Sequence, residues 1–366
     1  MSRRFGEVIT PYLKLNRSHY WGRVKGIELA GLYRQMSTMI NSGVPLLRCI
    51  DVLEGQVRNP VLRQAIVEIR HSLMQGLPLW KALSRNPNVF SNFHVQMVAS
   101  GETGGFLGKS LDKLASYQER ETRFNAKIRS AAIYPLMVGF FTLVVLVFLA
   151  SFVIPQFAEI FREQGVVLPL ITRIVLVIGN GIRDYGLILL LGVALLAAVI
   201  NKWHSSESGR RICDRLILST PIINSFVKKT AVARITGVMG TLVQSGIPVV
   251  DSLDLAGTLV ENRILTDSIK RATMQIYSGQ DITAPLTESR VFEEIAIQMI
   301  AVGEETGSLG EVLNRLSEYY ESEVNRLMGT TAALLEPALV MFLALIVGLI
   351  MASNVLPMLD LMNSLW

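Results

Sequence analysis

Two long stretches of this chain carry only uncharged and mostly apolar residues. The first runs from Ser130 to Ala158, and the second runs from Pro337 to Leu359. Because an α-helix rises about 1.5 Å per residue, about 20 apolar residues span a hydrocarbon core about 30 Å thick. The pattern therefore predicts one transmembrane helix in each stretch, at residues 130–158 and 331–359.

A third apolar stretch, from Tyr185 to Asn201, is close to the shortest length that crosses a bilayer. The apolar segment before it begins at Ile171 and is interrupted by Arg173 and by a Gly-Asn-Gly sequence. We interpret that segment as interfacial, or as the start of the same helix. We predict a second transmembrane helix at residues 185–201, and the alternative is a helix buried in a protein core.

The polar regions have the pattern of short amphipathic helices. Apolar residues recur three and four positions apart, as in Leu32, Met36 and Met39, and strand-like alternation is not evident. Gly-Val-Pro at 43–45 and Gly-Ile-Pro at 246–248 each place a glycine just after one helix and a proline in the first turn of the next. These signals predict an all-α chain.

The two polar regions are also copies of one another. Residues 39–51 (MINSGVPLLRCID) match residues 242–254 (LVQSGIPVVDSLD), and residues 101–121 match residues 303–323. The offset between the copies changes by one residue between about Leu79 and Ala99, which a single insertion or deletion explains. Each copy is followed by its own apolar stretch, so the repeat unit consists of a helical bundle and a membrane span.

The distribution of charge predicts an orientation. Lys and Arg are frequent before the stretch at 130–158 and after the stretch at 185–201, whereas only Arg162, Arg173 and Arg183 lie between these two stretches. After the last stretch the only charged residue is Asp360. Basic residues stay preferentially on the cytoplasmic side of a membrane. We therefore place the N-terminus and both bundles inside, and the C-terminal tail outside.

Composition agrees with a membrane protein. Half of the residues are hydrophobic, the mean hydropathy is +0.40, and only 18% are charged, whereas soluble domains carry about a quarter. The net charge of +5 is not concentrated in long basic runs, so nucleic-acid binding is not expected.

The predicted fold class is an all-α, polytopic membrane protein with two duplicated cytoplasmic helical bundles and three transmembrane helices. The segments follow one another along the chain in a fixed order. They are a basic N-terminal segment (1–28), bundle 1 (29–129), transmembrane helix 1 (130–158), a periplasmic segment (159–184), transmembrane helix 2 (185–201), a basic cytoplasmic linker (202–230), bundle 2 (231–330), transmembrane helix 3 (331–359) and a short periplasmic tail (360–366).

Candidate chemistry is sparse. The only cysteines, Cys49 and Cys213, lack disulfide or metal-ligand spacing, and the four histidines are scattered, so we expect no metal and no cofactor. Residues 103–110 resemble a phosphate-binding loop, but the first glycine position holds Thr103 and the preceding segment has a helical pattern. The second copy replaces Lys109 with Glu311, which would repel a phosphate. Nucleotide binding is therefore not expected.

Two glycine-rich turns carry acids at matched positions. They contain Gly101 and Glu102 in the first copy, and Gly303, Glu304 and Glu305 in the second. A carboxylate just before a helix can accept backbone N–H bonds, so we interpret these acids as caps of the following helix. Contact with a partner is the alternative. Catalysis is not expected, because in neither turn does a further acid, a histidine or a nucleophile stand at a spacing that is recognisable as catalytic.

The SGVPL and SGIPV turns, the GETGG and GEETGSL turns, and the order repeat, span, span, repeat, span together resemble one family. It is the inner-membrane platform protein shared by type IV pilus assembly and type II secretion systems, and the resemblance extends from about Leu29 to Leu359. It implies a bacterial inner-membrane protein with no enzymatic activity. It also implies contact with a cytoplasmic assembly ATPase while pilin or pseudopilin subunits are extracted from the membrane into a fibre.

The partners expected on this basis are the ATPase, the transmembrane helices of pilins or pseudopilins, other inner-membrane assembly proteins, the lipid bilayer and further copies of the same chain. The other function class that we keep is a membrane transporter or permease component. No predicted span carries a charged residue in its interior, whereas an ion- or proton-coupled transporter usually needs one. The transporter alternative is therefore the weaker one.

Overall fold

The computed structural model describes residues 24–153 and 207–364, together with isolated positions between 155 and 202. Within these residues the regular structure is helical throughout, and no strand occurs. The all-α class predicted from the sequence is therefore confirmed. Residues 1–23 of the basic N-terminal segment and most of residues 159–206 lie outside the described part of the chain, as does most of the predicted second span.

The first repeat begins with five short helices and continues into a long one. The long helix runs without interruption from the predicted bundle into the predicted membrane span and ends in one π-helical turn, Leu149–Val153. The helices are α1 (Gly26–Asn41), α2 (Leu46–Gln56), α3 (Pro60–Met74), α4 (Leu79–Ser84), α5 (Asn92–Thr103) and α6 (Leu107–Phe148).

The second repeat has the same succession of helices, preceded by one helix of the basic linker. Its last helix also runs from the polar region through the predicted span, and it extends to Ser364, so the predicted tail from Asp360 is helical as far as that residue. The helices are α7 (Glu207–Ser219), α8 (Pro221–Val243), α9 (Val249–Gly257), α10 (Arg263–Tyr277), α11 (Thr283–Ser289), α12 (Glu294–Glu305) and α13 (Leu309–Ser364).

Local sequence explains where several of these helices end and begin. Gly43 and Gly246 adopt positive φ angles of 83° and 81°, which a residue without a Cβ atom tolerates. The next residues, Val44 and Ile247, donate backbone hydrogen bonds of 3.0 and 3.1 Å to the carbonyls of Met39 and Leu242. This arrangement closes the helix C-terminus. The prolines that follow then start α2 and α9, as the sequence predicts.

Asparagine side chains start the third helix of each repeat. The Asn59 side chain accepts hydrogen bonds from the backbone N–H groups of Val61 and Leu62 at 3.0 and 3.3 Å. Asn262 caps α10 in the same way, because its side chain accepts hydrogen bonds of 3.0 and 3.2 Å from the backbone N–H groups of Ile264 and Leu265. Each cap satisfies donors that a helix leaves unpaired at its N-terminus.

The structure divides the chain into two compact units. One unit contains residues 1–125 and 220–323, so it holds the polar helices of both repeats, and the other contains residues 126–219 and 324–366, which include both long apolar stretches. The first unit has a well-buried apolar core. Its fully buried side chains include Tyr33, Leu53, Ile66, Met97, Leu111, Leu242, Leu253, Ile269, Leu313 and Tyr320.

The second unit has the opposite surface character. Its apolar side chains point outward, with Leu136, Leu334 and Met341 between 68% and 71% exposed. Among the residues that the structure describes, two helices, α6 with its π turn and α13, are long and apolar enough to cross a membrane, and almost none of the apolar part of either helix is buried. Such surfaces are unfavourable in water and suit a lipid environment.

Candidate functional site

The matched glycine-rich turns have one backbone geometry in both repeats. Gly105 and Gly307 adopt positive φ angles of 75° and 69°. The N–H groups of Phe106 and Ser308 donate to the carbonyls of Gly101 and Gly303 at 2.8 and 2.9 Å. The same hydrogen-bonded closure therefore ends α5 and α12 before the long helices start.

These turns begin later in the chain than the sequence pattern predicts. The residues predicted to lie in the turns are in the last helical turn of α5 or α12: Gly101, Glu102, Gly303, Glu304 and Glu305. The non-helical connections consist only of residues 104–106 and 306–308. The acids therefore project from helices, and where each one points depends on how that helix packs.

Gly101 and Gly303 are buried contact points between helices. A Cβ atom on Gly101 would lie 2.5 Å from the Ser110 hydroxyl oxygen and 3.1 Å from the Leu107 Cα atom. On Gly303 it would lie 3.1 Å from the Val312 side chain. Both glycines thus allow the end of one helix to approach the start of the next more closely than any other residue would.

Glu102 caps a helix, but not the one that the sequence analysis expected. Its two carboxylate oxygens accept hydrogen bonds from the backbone N–H groups of Leu79 and Trp80, at 2.8 and 3.0 Å. These groups belong to the first turn of α4, which has no cap from the side chain of Pro78 before it. Because Glu102 sits at the end of α5 rather than in the turn, it reaches back to α4 and not forward to α6.

Glu304 has a different environment at the matched position. It is exposed and lies near Asp281, which replaces Pro78 in the second repeat, and near Glu305. Partial burial raises the pKa of the Glu304 carboxyl, and the negative charges of Asp281 and Glu305 raise it further. The second repeat therefore presents carboxylates on its surface where the first repeat has a cap.

The loop that resembles a phosphate-binding motif follows a helix and not a strand. Thr103 is the last residue of α5, and Lys109 is exposed on the first turns of α6. Its counterpart Glu311 pairs with Arg315 one turn further along α13, at 2.7 Å. In the part of the chain that the structure describes, no group of three or more His, Cys, Asp or Glu side chains could hold a metal ion.

Within the second unit, the two long helices border a shallow apolar cleft. Tyr134, Pro135 and Val138 of α6 line one side, and Ala332, Leu335 and Leu339 of α13 line the other. Pro135 lies inside α6, where it removes one backbone hydrogen bond.

His94 is a buried polar residue that the sequence analysis passed over. Its Nδ1 atom accepts a hydrogen bond from the Ser91 N–H at 3.2 Å, and its Nε2 atom lies 3.2 Å from the side-chain oxygen of Gln118. Burial lowers the pKa of the imidazole to about 4. His94 is thus a neutral structural group at the start of α5, and no sequence motif marks it.

Comparison with known proteins gives consistent matches over most of the chain. The model of the family described as "Type II secretion system (T2SS), protein F" matches residues 32–155 and, separately, residues 235–357. A type IV pilus assembly protein, PilC of Myxococcus xanthus, is 32% identical over 345 residues, which cover 94% of this chain and 83% of that protein.

Two further relatives extend the comparison to both kinds of machinery. PilC of Thermus thermophilus is 36% identical over 341 residues, covering 92% of this chain and 83% of that protein. The type II secretion system protein F of Xanthomonas campestris pv. campestris is 31% identical over 332 residues, with 91% and 82% coverage.

Proposed function

Because this chain belongs to the family of type II secretion system protein F, we propose that it is a non-enzymatic inner-membrane platform. In this role it couples a cytoplasmic assembly ATPase to the extraction and polymerisation of pilin or pseudopilin subunits. The observation that carries the proposal is that the family model matches both repeats, each together with its following apolar stretch. Relatives named for pilus assembly and for secretion support the same role.

We further propose that the chain crosses the membrane three times, with both repeats in the cytoplasm and the C-terminus outside. The outward-facing apolar side chains of α6 and α13 support two of these spans. The basic residues that flank residues 185–201 on their C-terminal side support the third. The segment boundaries predicted from the sequence, including two duplicated bundles, are part of this proposal.

The energy for subunit extraction has to come from a partner in this scheme. The two repeats together form the large polar surface on which an ATPase would dock. Glu304 and Glu305 are exposed there, and we propose them as contact residues. Glu102, whose carboxylate is occupied at the start of α4, has a structural role instead.

A pilin or pseudopilin transmembrane helix would bind to the membrane unit. The cleft beside Pro135, bordered by Ala332 and Leu335, offers small and apolar side chains at one place. Lipid removes most of the hydrophobic drive between helices, so association there depends on close packing.

The proposal is tested by deleting the gene in its native host. We expect fibre assembly or secretion to stop, while pilin or pseudopilin synthesis and membrane insertion continue, and we expect the wild-type gene to restore assembly. Normal fibres or normal secretion in the deletion strain, with no second homologue present, would contradict the proposal. Solute flux through the purified protein in liposomes would favour the transporter alternative.

A further inference from the structure

The two repeats differ in the position of an arginine on their first helix, which is α1 in the first repeat and α8 in the second. The repeat alignment pairs Arg34 of α1 with Gly237 of α8, and it pairs Gly31 of α1 with Arg234 of α8. The second repeat thus has glycine where the first has arginine, and it has an arginine one helical turn earlier. The contacts of these side chains show what the exchange does.

In the first repeat, Arg34 binds the α6 helix of its own repeat. Its Nε atom lies 3.0 Å from the Glu119 carboxylate, and its Nη2 atom donates to the Ser116 hydroxyl at 2.9 Å. A third bond goes to the carboxylate of Asp112. Arg34 therefore joins α1 to α6 within one repeat.

In the second repeat, an arginine from the first repeat takes this place. A Cβ atom on Gly237 would lie 3.6 Å from Nη2 of Arg120, which belongs to α6. The Arg120 guanidinium lies 3.7 Å from Glu321 and 3.6 Å from Glu318. Glu321 is the counterpart of Glu119, and Glu318 is the counterpart of Ser116. Arg120 therefore contacts α13 at the positions that correspond to those where Arg34 contacts α6.

Arg234, which only the second repeat has at this position, extends from the second repeat to the first. Its Nη2 atom donates to the Asn125 side chain of α6 at 3.0 Å, and its Nε atom lies 3.8 Å from Glu121. It also binds Glu261 of its own repeat at 2.9 Å. The side chain of Arg234 is only 18% exposed. A side chain at its counterpart, Gly31, would point into open space.

Two further bonds join the repeats at the C-terminal end of α8. The Ser100 hydroxyl donates to the carbonyl of Ser245 at 2.7 Å, and the Lys113 ammonium donates to the carbonyl of Gln244 at 2.6 Å. A helix leaves such terminal carbonyls without partners of its own. The bonds therefore run from α5 and α6 of the first repeat to α8 and α13 of the second.

Two of the positions that would make the reverse contact have different chemistry. Val302 stands at the counterpart of Ser100 and has no hydroxyl, and Ser322 stands at the counterpart of Arg120 and has no guanidinium. On the receiving side, Arg34 already fills the place that an incoming arginine would need. A contact between unlike faces of similar units can extend from chain to chain into rings or filaments, unless something prevents it.

We propose that Arg120 and Arg234 specify a one-way pairing of the two repeats within a single chain. We also propose that Arg34, Val302 and Ser322 prevent the same pairing from extending to a second chain. The partner of the α5 and α6 face is thus the second repeat of the same molecule. Any self-association of the protein has to use other surfaces. This inference does not depend on the proposed coupling to an ATPase.

Cysteine cross-linking in the full-length protein tests the pairing. In a background with Cys49 and Cys213 replaced by serine, Ser100→Cys with Ser245→Cys should be cross-linked within one chain by a short bifunctional thiol reagent, seen as a faster-migrating monomer on a denaturing gel. Two differently tagged chains that each carry one of these cysteines should not cross-link when co-expressed. Cross-linking between those chains, or no cross-linking within one chain, would overturn the proposal.

The reverse pair supplies the matched control. Ser42→Cys with Val302→Cys occupies the counterparts of Ser245 and Ser100 and should not cross-link, within or between chains. Adding Arg34→Gly and Ser322→Arg should then allow linkage between chains through these two cysteines. Linkage between positions 42 and 302 without these two changes would overturn the blocking role. So would the absence of that linkage after the changes, when the same changes leave the linkage between positions 100 and 245 intact.

Charge reversal tests the arginine itself. Arg120→Glu should slow the linkage between positions 100 and 245 by at least about tenfold, because it places like charges together at a half-buried contact. Adding Glu321→Arg should restore much of the rate, which a merely misfolded variant would not show. An unchanged rate in Arg120→Glu, or no recovery in the double variant, would contradict the role of Arg120.

Discussion

The cap that Glu102 forms on α4 gives a sharp prediction about local stability. Replacing Glu102 with alanine removes two hydrogen bonds, of 2.8 and 3.0 Å, from the N–H groups of Leu79 and Trp80. The loss of an N-terminal cap costs about 0.5–2 kcal/mol. Because the acceptor is a half-buried carboxylate that serves two donors, we expect the upper end of this range, about 2 kcal/mol.

Hydrogen exchange of the full-length protein in detergent micelles measures this loss where it occurs. A destabilisation of about 2 kcal/mol raises the local opening equilibrium by a factor of about 30. Amide protection in α4 (Leu79–Ser84) should fall by about that factor in Glu102→Ala. Glu102→Gln, which keeps one acceptor oxygen, should lose less protection.

Glu304→Ala is the matched control in the second repeat. Glu304 is exposed, and the pKa of its carboxyl is raised by partial burial and by the charges of Asp281 and Glu305. Removing it relieves repulsion, so protection of α11 (Thr283–Ser289) should stay the same or increase. Unchanged protection of α4 in Glu102→Ala, or equal losses in both variants, would refute the reasoning.

Three further predictions concern other parts of the chain. Burial lowers the pKa of His94 to about 4. The neutral imidazole should therefore contribute fully to the free energy of unfolding above its ordinary pKa of about 6.5, and this free energy should fall by roughly 3 kcal/mol towards pH 4. In chemical unfolding, the free energy of unfolding of His94→Gln should depend less on pH over that interval. Gly101→Ala should lower the melting temperature because its Cβ would lie 2.5 Å from a serine hydroxyl, whereas Gly55→Ala in α2, where nothing lies within 4 Å, should keep or raise it. In intact cells, with the native cysteines replaced, an impermeant reagent should label a cysteine at Glu163 but not one at Lys270, and labelling at Lys270 would contradict the three-span topology.

The helix ends at the Gly-x-Pro turns could be predicted because they depend on local rules. A glycine at positive φ and a proline in the first helical turn have the same effect in many folds. Gly43 and Gly246 follow those rules in the structure. The long uncharged stretches are equally local: α6 runs into the first of them, and α13 runs through the second.

The helix that Glu102 caps could not be predicted in the same way. Its donors, Leu79 and Trp80, lie more than 20 positions earlier in the chain, and only the packing of α5 beside α4 brings them together. The following helix is the natural expectation for a cap, because it is nearest along the chain. Distance along the chain is a poor guide once helices pack against one another.

The contacts between the repeats were also missed, although the sequence carries a sign of them. The alignment shows an arginine at position 34 against a glycine at 237, and a glycine at position 31 against an arginine at 234. A charge that changes place between two copies of one unit indicates that the copies meet different neighbours. Which neighbours they are became clear only from the geometry of Arg120 and Arg234.

The most direct test of the platform proposal is whether the full-length protein binds its assembly ATPase. The purified protein, reconstituted in lipid nanodiscs, should bind the assembly ATPase of the same host saturably, and the binding should require the cytoplasmic surface of the two repeats. Nanodiscs without the protein, or with an unrelated three-span protein, should not bind it. The absence of binding to any assembly ATPase of that host, by protein that still restores fibre assembly or secretion in the deletion strain, would contradict the proposed coupling.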